Sequence, residues 1–138
     1  MVRSIPERYA RLIGGADGSR HDAGLERSSV AYICHVTDNL RIWAERMAGA
    51  ARGGRTHVAG YDNDLLATAR VYESVPIEGA LWSLGHAAEE WAEAFGMARD
   101  ANVVFVHPER GEQTVLDVAR TNAHDAFHHG WDIGRSVG

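Results

Sequence analysis

The sequence predicts an all-α protein, a four-helix bundle with one short additional helix in a connector. Two long segments carry apolar residues at alternating steps of three and four, glycine and proline cut the chain into pieces of helical length, and no alternating strand pattern intervenes. After Pro6 a short helix is expected from about Glu7 to Ile13, stopped by Gly14-Gly15. Gly15 to Leu25 holds Gly, Asp and Ser and reads as loop. From Ser29 to about Ala50, Val30, Ile33, Thr37, Leu40, Ala44 and Met47 mark one helical face, ended by Gly53-Gly54. A shorter, peripheral helix is expected from Asn63 to Tyr72, with Asp62 as N-cap and Leu65, Ala69 and Tyr72 on one side. Ser74-Val75-Pro76 opens the next long helix, because proline's fixed φ suits a first turn; its stripe is Ile77, Leu81, Leu84, Ala88, Trp91 and Phe95. Asn102 to Gln113 reads as an irregular connection with Val103 to Val106 extended, since Pro108 and Gly111 prevent a helix through it. Thr114-Val115-Leu116-Asp117 fits the capping-box pattern and starts a last helix that runs to about Arg135.

A chain of 138 residues with 45% apolar content suits one domain around one core. Its 14 basic residues are all arginine, scattered from Arg3 to Arg135 against 19 acids for a formal charge of −5, and they form no stripe of the kind nucleic acid needs. The opening residues lack an apolar signal region and the longest apolar run, at Val103 to Val106, is too short to span a bilayer. A soluble, cytoplasmic protein with no membrane partner is therefore expected. Cys34 is the single cysteine, which excludes an internal disulfide and an all-cysteine metal site, so chemistry rests on His, Asp and Glu.

Three of the eight histidines, His124, His128 and His129, crowd into the last helix. There Leu116, Ala119, Ala123, Ala126, Gly130 and Ile133 make a small apolar stripe that reads as the core seam. Beside it run Val115, Val118, Asn122, Asp125, His129 and Asp132; further round, Asp117, Thr121, His124, His128, Trp131 and Arg135 face solvent. Two i, i+4 pairs thus compete as metal ligands, Asp125 with His129 and His124 with His128, because either places two donors one turn apart. The first pair borders the core and is preferred, since burial makes a site rigid and a carboxylate offsets part of a divalent charge. A third ligand is His35, inside the apolar run Ala31-Tyr32-Ile33-Cys34-His35-Val36. Asp38 and Asn39 on its helix, and Asp132 beyond His129, are placed to orient ligands or border the same cavity. Two histidines and one carboxylate leave positions open for water or substrate, the catalytic pattern.

Blander readings stand beside these. A lone His35 also suits a hydrogen-bonded core histidine, and only the C-terminal cluster tips the balance. His21, His57, His86 and His107 read as surface residues, and Cys34 as inert core. Trp43, Trp82, Trp91 and Trp131 read mainly as packing, with one free to line a pocket.

Ala31-Tyr32-Ile33-Cys34-His35-Val36-Thr37-Asp38-Asn39-Leu40-Arg41 and Thr121-Asn122-Ala123-His124-Asp125-Ala126-Phe127-His128-His129-Gly130-Trp131-Asp132-Ile133 resemble the two signature helices of the DinB/YfiT-like superfamily. The segments from Val75-Pro76 to Trp82 and His107 to Gly111 resemble an actinobacterial branch of it. The resemblance implies a four-helix bundle holding one divalent ion, zinc first, with nickel or iron(II) behind it, on a second-helix histidine and two last-helix residues. Those positions fall on His35, Asp125 and His129. It further implies a thiol S-transferase using mycothiol, bacillithiol or glutathione, related to the mycothiol-dependent maleylpyruvate isomerases, whose appended domain has no counterpart here. Arg27-Ser28-Ser29 stands where relatives commonly have tryptophan.

The function expected on this basis is transfer of a low-molecular-weight thiol to a small electrophilic substrate, with Asp38, His128 and Asp132 tuning the ion. Metal-dependent hydrolysis, a non-enzymatic metal- or ligand-binding stress protein and a purely structural helical protein are the alternatives. The short first helix leaves apolar surface that a homodimer could cover.

Overall fold

The computed structural model describes residues 2–15 and 28–137. The loop expected from Gly15 to Leu25, and His21 within it, lie outside the described residues beyond Gly15. Helices α1 (Ile5–Ile13), α2 (Ser29–Ala51), α3 (Asn63–Arg70), α4 (Ile77–Asp100) and α5 (Val115–Val137) account for most of the described chain, and strands β1 (Val104–His107) and β2 (Gly111–Thr114) form a small hairpin.

Pro6 sits in the first turn of α1, and Ile5, Tyr9 and Ile13, one turn apart, are its buried face. Gly14 ends it in the left-handed conformation, φ 57°, with its N–H donating to the Ala10 carbonyl. The cap of α2 is Ser28, whose hydroxyl accepts from the Ala31 N–H at 3.3 Å. Every residue of α2 from Val30 to Asp38 is buried, so this half of the helix is covered all round rather than on the single face its apolar stripe marks. It packs along α4 and α5, while α1 lies against α5 and α4.

The seam with α4 uses small residues: Ala80, Ala87, Ala88, Ala94 and Ala98 are buried around Leu84 and Trp91, while Leu81 and Phe95 are only partly covered. Fully buried Leu40, Met47 and Leu84 contribute most here, each stabilising by about 1.5–3 kcal/mol through apolar burial. Two polar ties fix the register of the helices. The Trp91 indole N–H donates to Asn122 Oδ1 at 2.8 Å, joining α4 to α5, and the Tyr9 hydroxyl donates to the Ala126 carbonyl, joining α1 to α5. Both lie in the interior, where an unpaired donor is costly.

Several expectations are corrected. Val71 takes the left-handed conformation, φ 52°, and so breaks α3 at Arg70; Tyr72 belongs to the following 3-10 turn and is buried there, whereas Leu65 is exposed. The connection after α4 is a regular antiparallel hairpin, pairing Phe105 with Gln113 and His107 with Gly111. A third stretch braces it, with Val58 N–H donating to Val106 O and Val106 N–H to Thr56 O, both at 3.0 Å. Backbone pairing with residues 56–58 supplies the partners that local sequence did not reveal. The Thr114 and Asp117 side chains do exchange hydrogen bonds with each other's N–H, at 3.1 and 2.9 Å, as the capping box requires. That start rotates α5 so that Val115 and Val118 point inward and Leu116 outward, the seam joining its expected line only at Ala123, Ala126, Gly130 and Ile133. Trp82 and Trp131 do not pack in the core; they are 64% and 72% exposed.

Candidate metal centre

The first half of α2 and the middle of α5 run beside each other, and their facing side chains meet. His35 comes from α2 and is almost fully buried; Asp125, His129 and Asp132 come from successive turns of one side of α5. The Asp125 carboxylate lies between two imidazoles, with Oδ1 3.2 Å from His129 Nε2 and Oδ2 3.5 Å from His35 Nε2. One donor atom from each of the three falls within 4.8 Å of the others. Among the described residues this is the one group of His, Cys, Asp or Glu side chains close enough to hold a metal ion.

The surroundings fix the rings. The far nitrogen of His129, Nδ1, lies 3.2 Å from Asp132 Oδ2, which directs Nε2 toward Asp125. Tyr32 stacks on the other side of His129 with ring centres 5.1 Å apart, and His35 meets it edge-on at 4.7 Å. Burial opposes ionisation of Asp125, yet the imidazoles of His129 and His35 outweigh it and hold the carboxyl well below the usual carboxylate range. For His129, burial works against the charged ring, but the hydrogen bonds and charges of Asp125 and Asp132 prevail and raise its pKa. Asp125 Oδ2 is buried without a hydrogen-bond donor, and His35 Nε2 stands 3.5 Å from it. A carboxylate oxygen so placed suits a cation as its partner.

The remaining candidates divide. His124 and His128 are exposed, with rings 6.5 Å apart, and neither belongs to the converging group, although His128 meets His129 edge-on at 5.7 Å. Asp38 is engaged elsewhere, taking the Arg70 guanidinium and the Tyr72 hydroxyl, so it ties α2 to the end of α3 and the turn that follows rather than orienting His35. Asn39 accepts from the Tyr61 hydroxyl at 2.7 Å. Cys34 is buried, and desolvation pushes its thiol up to about 11, which leaves it no nucleophile near neutrality.

Above the triad opens a cavity of about 360 Å³. His35, Asp125 and Asn122 line its base, and Asn39, Trp43 and Arg46 continue down one side of α2 at steps of four, four and three from His35. Tyr61 from the connection before α3, and His107 and Arg110 from the hairpin, form the opposite wall. No family model matches this chain, and no curated protein or solved structure matches it. The site is read from its geometry.

Trp43 is the tryptophan that lines the pocket, as one of the four was expected to; Arg46, Tyr61 and Arg110 escaped the sequence reading, and His107 was placed among ordinary surface histidines although it borders the cavity and accepts the Glu109 and Arg110 N–H groups at 3.1 and 3.3 Å. The helical step from His35 was a usable signal for Asn39, Trp43 and Arg46. Nothing local marked Tyr61 or His107, which reach the site only through the folding of their loops. Burial, with Asp125 second, pushes the Tyr61 phenol up to about 12, so it stays protonated and a donor at neutral pH.

Proposed function

We propose that this protein is a metal-dependent enzyme of the DinB type, a four-helix bundle of α1, α2, α4 and α5 that transfers a low-molecular-weight thiol to an electrophilic small molecule. The observation that carries the reading is the convergence of His35, Asp125 and His129 from two helices on one buried point at the base of a cavity. The residues fit a divalent cation. Two imidazole nitrogens and a carboxylate are zinc's own donor types, and ligands about 2.0–2.1 Å from a tetrahedral ion stand roughly 3.3 Å apart. The carboxylate stands 3.2 Å from His129 through Oδ1 and 3.5 Å from His35 through the donorless Oδ2, and one donor atom from each residue lies within 4.8 Å of the others, a spacing that an ion would draw in. Zinc is the first expectation, with nickel or iron(II) behind it.

Bound there, the ion would supply Lewis acidity, lowering the pKa of a thiol so that thiolate exists near neutral pH. The chain's own residues do the rest. Asp132 holds His129 in the tautomer that presents Nε2, and Tyr32 fixes its plane. Trp43, Asn39 and Asn122 give the cavity a mixed aromatic and amide surface on which an electrophile can be oriented.

The test begins with protein purified without a histidine tag. Elemental analysis is expected to find a divalent ion in wild type, to lose it in His35→Ala, Asp125→Ala and His129→Ala, and to keep it in His124→Ala and His128→Ala. Mycothiol, bacillithiol and glutathione are then each offered with monobromobimane. Acceleration by loaded over metal-free protein supports transfer; no acceleration with any of the three refutes it. Turnover of an ester or amide panel without thiol would assign hydrolysis instead, and metal uptake without turnover would assign sequestration.

A further inference from the structure

The cavity contains a charge that the triad does not explain. Arg46 is half-buried on α2, eleven residues beyond His35 and on the same face, which at 1.5 Å per residue places it about 16 Å further along the axis. Its guanidinium lies over Trp43, 4.6 Å from the ring centre, and one nitrogen donates to the Ala59 carbonyl. Among the described residues no carboxylate pairs with it, and burial opposes its charge. A half-buried guanidinium held by one carbonyl and a ring keeps donors to spare, and the cavity that it lines gives them an outlet. Arg110, from the turn of the hairpin, lines the same cavity and has no acid partner among the described residues.

We propose that this cavity receives a small organic carboxylate, with Arg46 as its principal partner and Arg110 as its second. Contact with Trp43 and the Ala59 carbonyl holds the guanidinium in place, and its remaining N–H groups suit a forked pair with two coplanar oxygens, as a carboxylate offers. A monoanion is favoured over a phosphate dianion because Asp125 and Glu109 also line the cavity and repel excess negative charge. The carboxylate lies toward the end away from the triad, so Arg46 positions the substrate and sets its charge class. The inference deepens the proposed function by naming the substrate's chemistry, but the anion site stands without an ion on the triad.

The experiment therefore uses metal-free full-length protein, prepared with a chelator, and follows the Trp43 indole signal by NMR while benzoate or its neutral counterpart benzamide is added. Wild type is expected to prefer benzoate by at least about tenfold. Arg46→Gln should abolish that preference and Arg46→Lys should restore part of it. Because Arg46 also holds the Ala59 carbonyl, Arg110→Gln on the exposed turn serves as a second variant, with a few-fold loss expected. Equal binding of the two probes by wild type, absence of binding by both, or an unchanged preference in both glutamine variants would overturn the proposal. Inorganic phosphate binding more tightly than benzoate, through the same arginines, would overturn the carboxylate assignment. A benzoate preference in a protein that fails to load metal would leave this inference intact while removing the proposed function.

Discussion

Asp125 and His129 have opposite pH consequences, and a bound ion changes both. A carboxyl held below its ordinary value of about 3.9 adds stability above that pH and loses it as pH falls through the lower folded value. An imidazole raised above about 6.5 adds stability that is complete below that pH and is lost as pH rises through the raised folded value. Metal-free protein should therefore gain most from this pair between about pH 4 and 6.5. Cation binding needs the imidazoles neutral, so protons compete with it and uptake weakens as pH falls through the raised pKa of His129. Thermal melts across this range should show the optimum moving to higher pH on metal loading. An optimum at the same pH with and without metal would show that the ion does not sit on His129. Asp125, His129 and Asp132 were legible as a stripe because helical periodicity alone puts them together, and His35 was legible because a histidine interrupts an apolar run. The roles of Asp38 and His107 were not: Asp38 is claimed by Tyr72, far along the chain, and His107 borders the cavity because its strand is paired with Gly111–Thr114 and braced by residues 56–58.

Helix boundaries followed local chemistry closely where a cap or a glycine marks them, as at Gly14 and at Thr114 with Asp117. They failed where tertiary pairing decides. The extended form expected at Val103 to Val106 is present, but the four residues Val104 to His107 owe their strand both to Gly111–Thr114 across a tight turn and to residues 56–58, and the second partner lies outside any local window. At the end of α3 a β-branched Val71 stands in the left-handed region, exposed and strained, at a cost of about 1–2 kcal/mol. Val71→Gly removes that strain and should stabilise the protein by about 1 kcal/mol in denaturant titrations, less than the full strain because glycine is the more flexible residue when unfolded. Gly130 makes the opposite case. Its backbone lets α1 approach α5 so closely that an added Cβ would stand 3.4 Å from both Arg8 Nε and Tyr9 Cε1. Gly130→Val should destabilise by about 1–3 kcal/mol through overpacking, and an unchanged midpoint would mean that α1 is free to move aside.

Taken as a whole, the molecule fastens its second and last helices together at the triad, so an ion there acts as a clasp between elements far apart in sequence. Metal at about a thousandfold its dissociation constant should raise stability by about 4 kcal/mol, seen as a higher melting temperature that Asp125→Ala no longer shows. The described residues include no helix long and apolar enough to cross a membrane. Exposed Trp82 and Trp131 leave aromatic surface on the outside of the helices. The braced hairpin has the widest consequence. The triad stands on rigid helices, while Tyr61, His107 and Arg110 enter from segments whose anchorage is backbone pairing at residues 56–58 and 104–107. On the proposed reading, selectivity is rewritten by exchanging turn residues such as Arg110 while the floor that could hold an ion keeps its shape, a division of labour that makes the hairpin tip the natural place to engineer a new preference.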